Sequence, residues 1–218
     1  MQGGMPKQYL AIDGESILAY TLDVFQRSPD IDDIILVVPG EDVQMVWQGI
    51  IEPYKFSKVS HVAAGGRQRQ DSVRNGLAMI GGHIDIVVIH DAVRPFVSKE
   101  LIHLAVRSAV KYDAVTVGMP VKDTVKKVDQ DGWIVETLER QVLWMTQTPQ
   151  AFKRSVIQEA YRKAEEDGFY GTDDASLVER AGFRVKMITG SYANVKITTP
   201  EDLLFAEFLS RNNEGAGR

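Results

Sequence analysis

The strongest chemical signal in the chain is a short polar segment that directly follows an apolar run. The run Ile86–Ile89 is entirely β-branched, which is typical of a strand buried on both faces of a parallel sheet. Open α/β sheets hold their ligands at the carboxyl ends of their strands, so Asp91 and Arg94 stand where a substrate would bind. Asp91 could orient a hydroxyl or help to hold a metal, and Arg94 could bind a phosphate through two parallel hydrogen bonds. The structural alternative is that Asp91 caps the next turn and Arg94 pairs with it.

Two further segments carry residue types that suit a nucleotide. Lys7 closely follows glycines at the start of the chain, which is typical of a phosphate-binding loop, and the alternative is an ordinary solvated lysine. Gly65 and Gly66 follow a predicted strand and open a helix, so the backbone could approach a ligand and offer it N–H groups. The alternative is a plain strand-to-helix turn with Ser72 in a capping role. Neither a Walker nor a dinucleotide-binding glycine pattern occurs in the chain.

Polar residues also mark later segments of the chain. Arg140 precedes a stretch with two threonines, one of which is Thr148. Thr172 stands just before a predicted helix, where Thr172 or Asp173 could simply be the N-cap. Lys196 lies in an alternating segment that predicts a strand, where a lone lysine is usually a solvated edge residue. Because cations and hydroxyls recur at the ends of consecutive elements, we expect them to converge at one edge of a sheet.

These residues need a scaffold, and the chain alternates strand-like and helical segments. β-Branched runs predict strands over residues 34–38, 59–63, 86–89 and 114–118, and alternation predicts one over 194–198. Apolar periodicity predicts helices over residues 16–28, 41–51, 69–80, 98–110, 153–167, 173–181 and 200–211. The last helix has a clear start, with Thr199 as N-cap and Pro200 as its first residue. Alternating strands and helices predict an α/β fold with a doubly wound, mostly parallel sheet.

The pattern changes between residues 121 and 140. Two alternating segments, 121–128 and 133–138, flank an Asp-Gly turn and predict a β-hairpin. Such an arm either folds back on its own domain or extends to a partner subunit. We find no internal repeat, low-complexity segment or linker, so residues 1–218 are interpreted as one domain with a β-arm inserted at about 121–140.

Composition narrows the function classes. The 218 residues suffice for one α/β domain, and a net charge of −5 argues against a nucleic-acid surface while still allowing a small phosphorylated substrate. The absence of cysteine excludes disulfides, thiolate metal sites and a cysteine nucleophile, and the four histidines show no metal-ligand spacing. No apolar stretch approaches the ~20 residues that span a membrane, and no signal core begins the chain, so a cytoplasmic location is expected.

Segments across nearly the whole chain resemble one family. They are, in order, PKQYL, AGGRQRQDSV, HDAVRPF, PVKDTVK, LERQVLWMTQTPQAF, GTDDASLVE and NVKITTPEDL. Together they resemble the 2-C-methyl-D-erythritol 4-phosphate cytidylyltransferases of the non-mevalonate isoprenoid pathway. The resemblance implies a Rossmann-like nucleotidyltransferase that joins CTP and the polyol phosphate and releases pyrophosphate. It also implies Mg²⁺ held mainly by the CTP phosphates, and a homodimer in which each arm reaches the partner's active site.

The resemblance also implies roles for individual residues. Lys7 corresponds to the lysine that stabilises charge on the attacked α-phosphate, while Arg140 and Lys196 correspond to groups that hold the attacking phosphate. The nucleotide contacts correspond to Gly66, Ser72 and Ala92. The acceptor pocket corresponds to Asp91, Arg94, Thr148, Thr172 and Lys196, with Thr124 and Arg140 arriving from the partner's arm. No protein ligand for a metal is implied.

The chain departs from the family pattern in two places. The family begins with a buried strand and a P-A-A-G-x-G-x-R-M loop, and this chain starts at the position of the loop's final methionine. The first strand and most of the triphosphate-binding loop are therefore expected to be absent, which would leave two strand edges unpaired. Arg67 stands where some members carry an acidic residue beside the base pocket.

Other functions remain as alternatives. Ribitol-5-phosphate cytidylyltransferases share the PKQ, HDAVRPF and TPQ segments, whereas LERQVLW and GTDDASLVE favour methylerythritol phosphate. A non-catalytic dimeric nucleotide-binding protein would bind CTP without turnover. A dehydrogenase is the third alternative, and it lacks the glycine fingerprint.

Overall fold

The fold alternates strands and helices along nearly the whole chain. A computed structural model describes residues 6–213, so the glycines that precede Lys7 lie outside the described residues. The strands are β1 Ala11–Ile12, β2 Glu15–Ser16, β3 Ile34–Val38, β4 Val59–Ala64, β5 Ile86–Ile89, β6 Ala114–Pro120, β7 Lys126–Val128, β8 Ile134–Thr137, β9 Trp144–Lys153 and β10 Lys186–Thr189. The helices are α1 Ile17–Gln26, α2 Val43–Val46, α3 Glu52–Tyr54, α4 Arg69–Leu77, α5 Lys99–Tyr112, α6 Arg154–Glu166, α7 Asp174–Arg180 and α8 Pro200–Asn213.

The strands form a mixed sheet in which one strand runs against the others. In the four-stranded part the order is β10-β6-β9-β5, and β9 is antiparallel to both of its neighbours while β10 is parallel to β6. Strands β3 and β4 form a separate parallel ladder. Among residues 6–213, β3 pairs only with β4 and β5 only with β9, so each has one edge without a strand partner.

Apolar side chains cover both faces of the sheet. On β5, Val87 and Ile89 pack in a cluster with α6, while Ile86 and Val88 pack in a cluster with α5. A strand alternates its side chains between the two faces, so this division places α5 and α6 on opposite sides. The α/β class with a doubly wound sheet is therefore confirmed.

Four strands escaped the sequence prediction, namely the two-residue strands β1 and β2 and the strands β9 and β10. Strand β9 carries Thr148 and the fully buried Gln150, which hides it from a hydrophobic pattern. The Gln150 amide donates to Thr116 and accepts from the Ala175 N–H, so its polar atoms are satisfied inside the protein. Strand β10 is short and only partly buried.

The predicted strand over residues 194–198 is wrong. This segment is irregular, and it reaches the turn after β5 through the Ile197 N–H, which donates to the Val93 carbonyl at 2.9 Å. Asn194 is fully buried and donates to the Thr148 carbonyl at 2.8 Å. Individual hydrogen bonds and the burial of Asn194, not a strand ladder, thus hold the segment in place.

The predicted hairpin is present as β7 and β8, which pair antiparallel. Its turn is closed by the Asp129 carboxylate, which accepts from the N–H groups of Asp131 and Trp133, and Gly132 supplies a positive φ of 86°. The strands are shorter than the alternating sequence predicts. The segment before β7 instead joins the base of the arm through the Val121 N–H and the Leu143 carbonyl.

Candidate active site

A cleft of about 240 Å³ opens at the carboxyl ends of β3 and β5. The end of β3 contributes Val38, and the turn after β5 contributes Asp91 and Ala92. Gln8 and Lys196 complete the polar part of the lining. The expected convergence of functional groups at one edge of the sheet is thus observed for Asp91, Ala92 and Lys196.

Three cations surround the carboxylate of Asp91. The Lys196 amine lies 2.9 Å from one of its oxygens, the Arg69 Nε lies 3.3 Å from the other, and the Arg94 Nε lies at 3.5 Å. The Asp91 side chain is only 13% exposed, so these charges interact with little solvent between them. Burial by itself would raise the pKa of Asp91, but Lys196, Arg69 and Arg94 outweigh burial and lower the pKa to about 2. Asp91 is therefore ionised at neutral pH.

The low pKa of Asp91 predicts a pH dependence of stability. Because the pKa falls from an ordinary 3.8 to about 2 on folding, the stabilisation is complete above about pH 4 and is lost as the pH falls towards 2. We expect the difference in unfolding free energy between wild type and Asp91→Asn to shrink by about 2 kcal/mol across this window. Urea unfolding of both proteins at a series of pH values measures this difference in unfolding free energy. A difference that stays constant would show that the three cations do not stabilise ionised Asp91.

Two hydrogen bonds hold Arg94, and its buried Nε faces the Asp91 carboxylate. Its Nη1 donates to the Asn194 carbonyl at 2.8 Å, and its own N–H donates to the Asp91 carbonyl at 3.0 Å. The Nε group is buried and has no hydrogen-bond partner among the described residues. The acceptor nearest to Nε is the Asp91 carboxylate at 3.5 Å, so Nε contributes charge to the cluster, and a ligand would have to meet other N–H groups of the guanidinium.

Arg69 belongs to the cation cluster, although the sequence analysis assigned it no role. Besides Asp91, its guanidinium binds the fully buried carboxylate of Asp174 at 2.7 Å. Asp174 also accepts from the Tyr161 hydroxyl at 2.5 Å, and burial together with Asp174 raises the pKa of Tyr161. Asp174 thus ties α6 and α7 to the cation cluster. The position of Arg69 just after the glycine pair could have marked it as a candidate. Its partner Asp174 is 105 positions away in the sequence, so no local pattern connects the two residues.

The glycine pair after β4 makes a tight turn into α4. A Cβ at Gly66 would meet the Asp71 Cβ at 2.2 Å, so only glycine fits. The Gly66 N–H donates to the Ser72 hydroxyl at 3.0 Å. The N-cap of α4 is Gln68, not Ser72, and Asp71 accepts from the Gln68 N–H in a capping box. The Gly65 N–H donates to the Val38 carbonyl at 2.7 Å, so both glycine N–H groups are used inside the protein, and Ser72 fixes the shape of the turn.

The remaining predicted pocket residues lie on separate elements. The Thr148 hydroxyl accepts from the Asp91 N–H at 3.0 Å, so Thr148 is part of the cluster. Thr172 is exposed and lines a small recess next to Arg69 and Asp174. The cap of α7 is Asp173, whose carboxylate accepts from the Ser176 N–H at 2.9 Å. The Ala92 carbonyl accepts from the Thr21 hydroxyl at 2.8 Å.

Lys7, Thr124 and Arg140 do not join the cluster within one chain. Lys7 is exposed in a short helical turn beside Gln8, which lines the cleft. Thr124 is exposed at the base of the arm, and Arg140 donates to the Lys122 carbonyl there at 2.8 Å. Among residues 6–213 the Arg140 guanidinium forms no ion pair. These side chains are thus left available for a ligand or a second subunit.

Comparison with known proteins first places the chain among the α/β nucleotidyltransferases. The crystal structure of 4-diphosphocytidyl-2C-methyl-D-erythritol synthase from Anaerococcus prevotii superposes with a TM-score of 0.86 at 34% identity, covering 95% of this chain and 91% of that one. The corresponding cytidylyltransferase from Thermus thermophilus gives a TM-score of 0.80 at 30% identity, with 96% and 95% covered.

Sequence comparison then identifies the family. The family model for 2-C-methyl-D-erythritol 4-phosphate cytidylyltransferase matches residues 1–212. The enzyme of that name from Syntrophus aciditrophicus is 50% identical over 215 residues, covering 99% of this chain and 92% of the relative. The one from Geobacter metallireducens is 48% identical over 210 residues, covering 95% and 90%. The chain belongs to the 2-C-methyl-D-erythritol 4-phosphate cytidylyltransferase family and is an enzyme of the nucleotidyltransferase class, as the sequence resemblance predicted.

Proposed function

We propose that this chain transfers the cytidylyl group of CTP to the phosphate of 2-C-methyl-D-erythritol 4-phosphate. An oxygen of that phosphate attacks the α-phosphorus of CTP, a new P–O bond forms, and the bond to the leaving pyrophosphate breaks. The observation that carries the proposal is the cluster of Arg69, Arg94 and Lys196 around Asp91 at the cleft. Family membership supplies the identity of the two substrates.

The acceptor phosphate would bind to the cations of this cluster. Arg94 contributes its charge next to Asp91, and Lys196, whose side chain is 41% exposed, can reach a ligand while it contacts Asp91. Asp91 is ionised and only accepts hydrogen bonds, so it suits the hydroxyl groups of a polyol and would repel a second anion. The carboxylate therefore orients the acceptor, and the cations neutralise its phosphate.

The nucleotide would bind along the neighbouring side of the cleft. Val38 and Ala92 offer an apolar wall, and the glycine turn at Gly66, shaped by Ser72, lets a base approach the backbone. Lys7 immediately precedes Gln8, which lines the cleft, so we assign Lys7 to the α-phosphate. The Tyr9 hydroxyl anchors this segment by donating to Asp42 at 2.8 Å.

The reaction needs no general base from the protein. The attacking phosphate is already ionised, so catalysis consists of positioning the two phosphates and neutralising the charge that develops between them. Lys7, Arg140 and Lys196 are the groups assigned to that charge. Positioned next to the reacting phosphates, these cations would stabilise the charge of the transition state.

A divalent cation would accompany the CTP phosphates. Among residues 6–213, no group of three or more histidine, aspartate or glutamate side chains is placed to hold a metal. Asp91 and Asp174 are both engaged by cations of the protein, so neither offers a free ligand. We propose that Mg²⁺ is held mainly by the triphosphate. Mg²⁺ bound there would neutralise phosphate charge.

The arm is proposed to complete the partner's site in a homodimer. It exposes large apolar side chains, with Trp133 74%, Ile134 63% and Val135 61% exposed. Contiguous apolar exposure of this kind marks an interaction surface, since water would otherwise cover it at a cost in free energy. Arg140 lies at the base of this arm without an ion-pair partner in the described residues, as a group acting in trans would. No helix in the described part of the chain has the length and apolarity to span a membrane, and a cytoplasmic location stays a prediction.

Mixing two inactive variants tests whether Arg140 acts in trans. We expect Arg140→Ala and Lys7→Ala to be inactive alone, because each lacks one cation of every site. Random pairing of equal amounts makes about half of the dimers mixed, each with one complete site, so about a quarter of wild-type activity should return. Pyrophosphate release measures the recovery. If mixed dimers form and no activity returns, the arm serves its own subunit.

Pyrophosphate release with both candidate acceptors tests the function itself. The protein would be assayed with CTP, Mg²⁺ and either methylerythritol phosphate or ribitol 5-phosphate, after its intact mass has been confirmed. Turnover with methylerythritol phosphate alone is the expected result. Turnover with ribitol 5-phosphate would reassign the acceptor, and CTP binding without turnover would make the chain a nucleotide-binding protein.

A further inference from the structure

His90 is a titratable residue beside the cluster that the proposed chemistry does not use. It connects the end of β5 to Asp91, and its partly buried ring packs on Phe25 with 4.9 Å between the ring centroids. Both of its nitrogens have partners. Nε2 lies 3.1 Å from the Arg94 carbonyl oxygen, and Nδ1 lies 3.1 Å from the Thr148 hydroxyl. The ring therefore joins two predicted acceptor-pocket residues.

The hydrogen-bond partners determine the tautomer of His90. A carbonyl oxygen only accepts, so Nε2 must carry a hydrogen and donate it to Arg94. Loss of water around the ring lowers the pKa of His90 to about 4, so the ring is neutral at neutral pH and Nδ1 is an acceptor. The Thr148 hydroxyl must then donate to Nδ1.

The donation to His90 leaves Thr148 with no proton for a substrate. Its oxygen already accepts from the Asp91 N–H at 3.0 Å, and its single hydrogen points to His90. A phosphate oxygen needs a donor, which this hydroxyl cannot be while His90 is neutral. The bonds instead form a relay from the Asp91 N–H through Thr148 and His90 to the Arg94 carbonyl. The relay binds both ends of the turn that carries Asp91 and Arg94.

We propose that His90 is a positioning residue that fixes the Asp91–Arg94 turn through Thr148, and that Thr148 acts through this relay and not by donating to the acceptor phosphate. The inference rests on the proposed function for the identity of the acceptor. The hydrogen bonds that carry it do not depend on that function. The larger effect should fall on the acceptor, because the relay bonds to Asp91 and Arg94, whereas the Ala92 carbonyl accepts from Thr21.

Variants at His90 should change the KM for the acceptor far more than the KM for CTP. His90→Phe keeps a ring against Phe25 and removes both hydrogen bonds, so the KM for methylerythritol phosphate should rise about tenfold or more. His90→Gln can place an amide N–H near the Arg94 carbonyl and should recover part of the loss. The matched control is His103→Phe. His103 is exposed and pairs with Asp30, so this change should leave the KM for the acceptor and the KM for CTP unchanged.

A double-mutant cycle separates the relay from direct contact with the phosphate. If Thr148 acts through His90, Thr148→Val and His90→Phe should be strongly non-additive, and the double variant should resemble the worse single one. If the Thr148 hydroxyl binds phosphate directly, the two losses should multiply, which would overturn the proposal. Equal rises in the KM for CTP and for the acceptor would also overturn it, since they would indicate a general structural loss.

Nitrogen NMR of the histidine rings tests the relay without turnover. We expect the His90 signals of a neutral ring protonated at Nε2, unchanged between pH 8 and about 6 because the pKa lies near 4. His90→Phe identifies the signals by their loss. A ring protonated at Nδ1 would overturn the relay even in an active enzyme. If wild type shows no turnover but has the Nε2–H ring, the relay stands and the proposed function fails.

Discussion

Replacing Lys196 with methionine is expected to lower kcat/KM about 10²–10³-fold, the usual cost of removing one group that stabilises transition-state charge. The Lys196 amine lies 2.9 Å from Asp91 in the lining of the cleft, and methionine keeps the length of the side chain without its charge. Asp91 would then keep Arg69 and Arg94 as counter-ions, so the fold should persist. Steady-state pyrophosphate release at varied concentrations of each substrate measures the effect.

The matched control for this lysine is Lys153→Met. Lys153 ends β9 and pairs at 3.7 Å with Asp113, both of them well exposed, so its loss should leave kcat/KM unchanged. Lys196→Arg keeps the charge and should retain more activity than Lys196→Met. Full activity of Lys196→Met would show that this lysine does not hold the attacking phosphate, and the acceptor site would have to rest on Arg94 and Arg140.

Replacing Asp174 with asparagine is expected to lower the free energy of unfolding by about 3 kcal/mol, as is typical when one member of a buried ion pair is removed. Asp174 is fully buried and accepts from both Arg69 and Tyr161. Asparagine keeps the volume but leaves the Arg69 guanidinium without its nearest counter-ion. We place the loss at the lower end of the usual range because Arg69 is 36% exposed and still has Asp91.

Urea unfolding with an unchanged m-value measures this loss. Asp167→Asn is the control, since Asp167 pairs with Arg180 on the surface and should contribute about 0.5 kcal/mol or less. The Asp174→Asn protein should also bind the acceptor less well, because Arg69 is no longer held next to Asp91. A variant as stable as wild type would mean that Asp174 does not anchor the cluster.

The sequence predicted the position of candidate site residues where a local pattern carries the signal. The β-branched run of β5 indicated a strand buried on both faces, and the polar residues after it had to lie at the carboxyl edge of the sheet. Asp91 and Arg94 are found there, and Lys196 joins them although its predicted strand is absent. The hairpin was equally readable, because alternation and an Asp-Gly turn are local features.

The sequence did not predict which residues form buried polar contacts with one another. Strand β9 carries Gln150 in the core, so its hydrophobic alternation is broken, and its polar atoms are satisfied by partners on β6 and α7. Arg69 meets Asp174 across 105 positions of sequence. No spacing rule connects such residues, since only the packing of the elements brings them together.

By itself the sequence determined the class of the fold, the family and the edge of the sheet where the candidate site lies, because these follow from periodicity and from short motifs. Only the tertiary structure decided which cations share Asp91, which carboxylate anchors Arg69 and which nitrogen of His90 carries the hydrogen. Those features depend on distances of about 3 Å between atoms on different elements. Charge and hydrogen-bond energies change steeply over such distances, and a linear pattern does not contain them.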